Sequence, residues 1–147
     1  MPTQPDAAQR FAVLATRRDI ALGALHSASL RDFELVLGAA AKGFAPGREY
    51  SERDVNDILR AFLGSAGAML ATDHVELRRW LVDFRVLERD GFGRVYTTGA
   101  PAAGIVVAAR GLADVDLVAI AQEAREVDAA RRAERKARWQ ARSEGRD

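Results

Sequence analysis

Five stretches of this chain place apolar residues at helical spacing, and one of them runs straight into two short strand-like segments. That stretch is Asp73–Tyr96. Leu77, Trp80, Leu81 and Phe84 recur at steps of three, four and seven, which gathers them on one helical face. Arg79 points nearly opposite that face and Arg78 lies on its flank. Beyond the helix, Leu87–Arg89 and Arg94–Tyr96 bracket Asp90-Gly91-Phe92-Gly93. Asp-Gly between such runs predicts a tight hairpin with a type I′ turn, whose two central residues take positive φ. A helix followed by a hairpin with arginines at its base is how a winged-helix module ends.

The remaining periodic stretches fill in a mainly α protein. Phe11, Leu14, Ala15, Ala21, Leu22 and Leu25 predict one helix over residues 7–25, with Arg17, Arg18 and Asp19 outward. Ser29 and Asp32 have the spacing of a capping box for a helix that buries Leu30, Phe33, Val36, Leu37 and Ala40 and stops at Gly43. Ala45-Pro46-Gly47 is a turn. Ser51 and Asp54 form a second capping box, with Tyr50 and Val55 as a hydrophobic staple, and Val55, Ile58, Leu59, Phe62 and Leu63 follow. Residues 64–71 are a small-residue connector, longer than the turn of a compact helix-turn-helix. Thr72 or Asp73 opens the key helix, with Glu76 as its N3 partner. After Tyr96 the composition is that of a linker, and Ile105-Val106-Val107 reads equally as a third strand or a helix lead-in. From Asp114 to Arg142 one long helix is expected, striped by Leu117, Ile120, Ala124 and Val127 and then by Ala130, Ala133, Ala137 and Ala141. Its acids precede its bases at Asp128/Arg132 and Glu134/Arg138, the favourable order for i, i+4 pairs. Residues 1–6 are polar with two prolines and are expected to fray, as is the chain towards Asp147.

Composition narrows the chemistry more than the fold. At 147 residues the chain is one domain with room for a real core. Its net charge of +1 supplies no global field, so any contact with nucleic acid must come from a local patch. Twenty of the 22 basic residues are Arg and 29 residues are Ala, a bias that coding preference alone can produce. The absence of cysteine excludes disulfides and thiolate chemistry. No apolar run is long enough to span a bilayer and no secretory signal is visible, so a cytoplasmic location is expected.

Tyr50-Ser51-Glu52, Val55-Asn56, Ile58-Leu59, Asp73, Leu77-Arg78-Arg79, Leu81-Val82-Asp83, Leu87, Arg89, Gly93 and Tyr96 together resemble an uncharacterised bacterial domain family that often accompanies winged-helix transcription regulators. The resemblance covers Leu30–Tyr96. It implies a winged-helix-like fold and a regulatory association, and it supplies no catalytic residues. Arg85 departs from the pattern, standing where a glycine is usual at the helix end.

Candidate site residues follow from the same stretch. Arg78 and Arg79 can meet phosphates from a helix docked in a groove of double-stranded DNA, alongside the hairpin arginines Arg89 and Arg94. The plainer reading is structural, with one guanidinium holding a carboxylate such as Glu52 or Asp54. His26 and His74 make no metal set without cysteine or clustered carboxylates. Gly91-Phe92-Gly93 lacks the context of a phosphate cradle, and no nucleophile is paired with a base. Neither cofactor nor metal is expected.

The sequence thus predicts a mainly α fold: a winged-helix-like core of three helices plus β-hairpin (29–98), preceded by an N-terminal helix (1–28) and followed by a linker (99–113) and a long basic C-terminal helix (114–147). The expected function is DNA-associated transcriptional regulation. The alternative is a non-enzymatic protein-interaction module, which the mixed face of Glu76, Arg79 and Asp83 favours. A homodimer through the terminal helices suits either, and membrane association suits neither.

Overall fold

The computed structural model describes residues 6–145, so of the two ends expected to fray only Asp6 and the last helical turn fall inside it. Among these residues the chain forms α1 (Ala7–Ala15), α2 (Leu22–Ala28), α3 (Leu30–Ala41), β1 (Tyr50–Ser51), α4 (Glu52–Leu63), α5 (His74–Asp83), β2 (Leu87–Arg89), β3 (Val95–Thr98), α6 (Ala103–Gly111) and α7 (Leu117–Glu144). The fold is mainly α with one small antiparallel sheet of order β1-β3-β2.

α3 is the central element. Phe33, Leu35, Val36, Leu37, Gly38, Ala39 and Ala40 are all buried, so its middle turns have no solvent face. α2 and α1 cover part of it, and α6 covers more than any other helix. The α3–α6 approach is close enough that a Cβ on Gly38 would stand 2.9 Å from the Ala109 backbone nitrogen. Leu30, expected inside, is 54% exposed, although Asp32 and Phe33 in the same turn are buried.

The single N-terminal helix expected over 7–25 is in fact two. Helix geometry stops at Ala15, Asp19 turns the chain at φ 56°, and Ile20 forms a parallel bridge to Leu70. The bridge is held by the Ile20 N–H on the Met69 carbonyl (2.9 Å) and the Ala71 N–H on the Ile20 carbonyl (2.8 Å). Two backbone hydrogen bonds to a segment fifty residues away thus interrupt a run whose apolar spacing alone is helical. They also explain the long 64–71 connector, which buries Ala66, Met69 and Leu70.

The capping boxes divide. At Ser51 both halves form, Ser51 Oγ accepting from the Asp54 N–H (3.1 Å) and Asp54 accepting from the Ser51 N–H (3.4 Å), with Tyr50 and Val55 buried beside it. At Ser29 only the first half forms, because the Asp32 carboxylate is taken in bidentate fashion by Arg10 of α1 at 2.8 and 2.7 Å. Asp73 likewise caps α5 through the Glu76 N–H (2.8 Å), while Glu76 accepts from the Trp80 indole (3.4 Å).

Three further expectations change in the second half of the chain. The hairpin turn is not type I′: Gly91 is not left-handed, and positive φ falls on Gly93 (67°), giving a longer loop. Asp90 shapes it, its carboxylate accepting from the Arg94 (2.8 Å) and Val95 (3.3 Å) N–H groups. Of the two readings open for Ile105-Val106-Val107 the helical one holds, since they lie in α6, inside the segment read as a linker, and the third strand is Tyr50–Ser51. α7 runs to Glu144 as expected, but its docked face is Leu117, Ala121, Ala124 and Asp128, and Val127 is 44% exposed. Arg125 locks the docked half by donating to the carbonyls of Ala15 (3.0 Å), Ser65 (3.0 Å) and Ala66 (3.3 Å).

Candidate nucleic-acid interface

Three elements build the candidate surface. α5 is anchored by Leu77 and Leu81, both fully buried, and stacks Trp80 and Phe84 against Phe33 with ring centroids 5.3 and 5.0 Å apart. β2 follows directly, and its register places Arg89 opposite Tyr96 on β3. Directly opposed residues leave the same face of a sheet, so the Arg89 and Tyr96 side chains emerge together beside α5. The result is a shallow groove of about 280 Å³ lined by Val75, Arg78, Arg79, Val82, Asp83, Arg89 and Tyr96.

The four candidate arginines are not equivalent. Arg78 is largely buried, paired with Glu52 at 3.1 Å and bonded to the Asn56 side chain at 2.5 Å. It ties α5 to the start of α4, the structural role that the sequence offered as the plainer alternative. Arg79 and Arg89 are exposed on the groove and Arg94 is exposed at the hairpin tip, outside it. None of these three forms an ion pair with a described residue. Tyr96 is 2% exposed yet lines the groove, and its hydroxyl has no hydrogen-bond partner among the described residues. Sequence reasoning did not single it out as a site residue, because its pairing with Arg89 follows from the longer hairpin loop and not from a two-residue turn at Asp90-Gly91.

The surface is electrostatically mixed. Asp83 lines the same groove as Arg79 and Arg89, and Asp73 and Glu76 line an adjoining hollow with Arg79 and Trp80. At the tip, the backbone N–H of Arg94, helped by that of Val95, holds the Asp90 carboxyl below the usual carboxylate range. Phe92 is 85% exposed and does not fold back onto the core. His74 stands 3.3 Å from the Arg60 guanidinium, His26 packs edge-on to Phe33 at 4.8 Å, and no metal-binding cluster occurs among the described residues. No described helix is long and apolar enough to cross a membrane.

The helix–strand–helix–helix–hairpin unit that carries this groove is also the segment that a family model matches. Residues 27–98 match a family described as an uncharacterized protein conserved in bacteria (DUF2087). The match takes in α3 through β3 and every groove residue, and it leaves α1, α6 and α7 outside. No curated protein and no solved structure matches the chain.

Proposed function

We propose that this is a non-enzymatic, cytoplasmic DNA-binding protein of the regulatory kind, built on a winged-helix scaffold. The order α3-β1-α4-α5-β2-β3, with a short strand between the first two helices closing onto the hairpin, supports the winged-helix reading. In this reading α5 is the helix presented to the duplex and β2–β3 is the wing. The observation that carries it is the set of arginines without ion pairs along one edge: Arg79 and Arg89 line one groove, and Arg94 is exposed at the hairpin tip. Two guanidiniums on one groove suit a phosphate oxygen. Arg78 supports that edge from behind rather than touching DNA.

A fluorescence-anisotropy titration with a mixed duplex at two salt concentrations tests this. Each phosphate contact contributes about 0.9 to the slope of log K against log salt. The Arg79→Ala/Arg89→Ala/Arg94→Ala variant is therefore expected to stay folded and to lose roughly 2.7 from that slope. Binding unchanged in the triple variant would refute the contact set.

A second reading is favoured by one observation, the interleaving of Asp73, Glu76 and Asp83 with Arg79. Alternating signs suit a protein partner better than a uniform polyanion. Under either reading the terminal helices offer a pairing surface, since Val13 and Val127, 46% and 44% exposed, border one hollow between α1 and α7. Sedimentation equilibrium reads out that homodimer directly.

A further inference from the structure

The docked face of α7 consists of Leu117, Ala121, Ala124 and Asp128, at alternating steps of four and three. At 3.6 residues per turn the same face continues past the body through Arg131, Arg135, Trp139 and Arg142. One continuous helical face thus turns from apolar to cationic where the helix clears α1. From residue 129 onward every described residue is exposed, and the free part runs about 24 Å at 1.5 Å per residue. Trp139 is 70% exposed on this face, between Arg135 and Arg142.

Charge is segregated along the chain in the same way. Residues 129–147 hold seven basic and three acidic side chains, net +4, which against a chain total of +1 leaves −3 for residues 1–128. Apart from Asp128, the ion-paired residues of the arm lie beside this stripe. Asp128 takes Arg132 (2.9 Å) and Glu134 takes Arg138 (2.5 Å), whereas Arg131, Arg135 and Arg142 form no ion pair with a described residue. Where the arm leaves the body, Arg17, Arg18 and Arg132 line a cleft of about 670 Å³ together with Asp19 and the ion-paired Asp128.

We propose that the C-terminal half of α7 is a second nucleic-acid contact, in which Arg131, Arg135 and Arg142 meet successive phosphates and Trp139 stacks on a base or sugar. Three guanidiniums along one line at intervals of about 6 and 10 Å match a ladder of phosphates better than a single small anion. An unpaired indole among them adds the stacking surface that strand-binding sites use. A membrane surface fits poorly: the arm offers one large apolar side chain, where interfacial helices bury a full apolar face. The contact belongs to a different element from the α5–hairpin groove and stands whether or not that groove binds DNA.

The test uses the full chain in three forms: wild type, Arg131→Gln/Arg135→Gln/Arg142→Gln, and the groove triple alanine variant. Each is titrated with a labelled duplex, with oligo(dT), and with phosphatidylserine vesicles at two salt concentrations. The arm variant, whose substitutions lie on exposed positions, is expected to keep its circular dichroism and urea midpoint. It should lose about 2.7 from the duplex salt slope, so that a fourfold rise in salt weakens wild type about 40-fold more than the variant. Quenching of tryptophan fluorescence by oligo(dT) should vanish in Trp139→Phe. Loss in the arm variant alone supports the arm and overturns the groove; loss in the groove variant alone does the reverse. Equal affinity and slope in wild type and arm variant, or capture of vesicles without nucleic acid, overturns the arm proposal.

Discussion

Asp32 shows how one residue exchanges a local role for a tertiary one. Its position three after Ser29 suits a capping box, but its side chain instead reaches Arg10 across the α1–α3 contact, and it is 4% exposed. The hydrogen bonds from Arg10 outweigh desolvation and hold the carboxyl below the usual carboxylate range. A depressed folded pKa means stability that is fully present above the unfolded value and lost as pH falls towards the folded one. Asp32→Asn is expected to cost about 2 kcal/mol at neutral pH, less than a fully buried pair would lose, because the Arg10 side chain keeps 33% of its exposure. In thermal unfolding the gap between wild type and variant should hold constant from pH 7 to about 5 and narrow below about 4. A gap that does not close on acidification would assign the effect to packing.

At the scale of elements, the end of α5 is a test of backbone strain. The Val86 N–H bonds the Leu81 carbonyl (2.8 Å) and the Arg85 N–H bonds the Val82 carbonyl (3.1 Å), which together form a Schellman motif. Its left-handed position is Arg85, at φ 61°, where glycine carries no Cβ penalty. Arg85→Gly should therefore raise stability by about 1 kcal/mol without moving the hairpin, read as a higher urea midpoint at unchanged slope. The motif also shows what was legible beforehand. The termination of α5 at this point and the unusual residue there were both readable, as were α3, the doubly capped α4, α5, the hairpin strands and the pairs at Asp128 and Glu134, since each rests on residues within one or two turns of each other. What escaped depended on distant partners: the break in the N-terminal helix needs Leu70, the half-formed box at Ser29 needs Arg10, and the two-residue β1 needs β3. The site followed the same rule. Arg79, Arg89 and Arg94 were found as exposed residues near a hairpin, whereas the commitment of Arg78 to Glu52 and Asn56 stood only as an alternative, and Tyr96 was named for the resemblance but not as part of the groove.

At the scale of the whole molecule, the segment matched by the family and the folding unit do not coincide. Residues 27–98 contain α3, yet the face of α3 around Gly38 is covered by α6, and α1 with the docked half of α7 completes that layer. Phe11, Leu14, Ile105, Leu112 and Leu117 lie in this cover, each at most 8% exposed. At about 1.5–3 kcal/mol for each large apolar side chain, they supply roughly 10 kcal/mol, comparable to the 5–15 kcal/mol net stability of an ordinary domain. Excised residues 27–98 are therefore expected to keep helical far-ultraviolet dichroism while binding a hydrophobic dye and unfolding without cooperativity. A chain ending at Ala130 retains the whole cover, including the Arg125 lock, and should match the full-length urea midpoint. Cooperative unfolding of the excised segment at the full-length midpoint would show that α1, α6 and α7 are ornament on a self-sufficient core. The expected result instead means that in this chain the segment matched by the family depends on α1, α6 and α7 to cover α3.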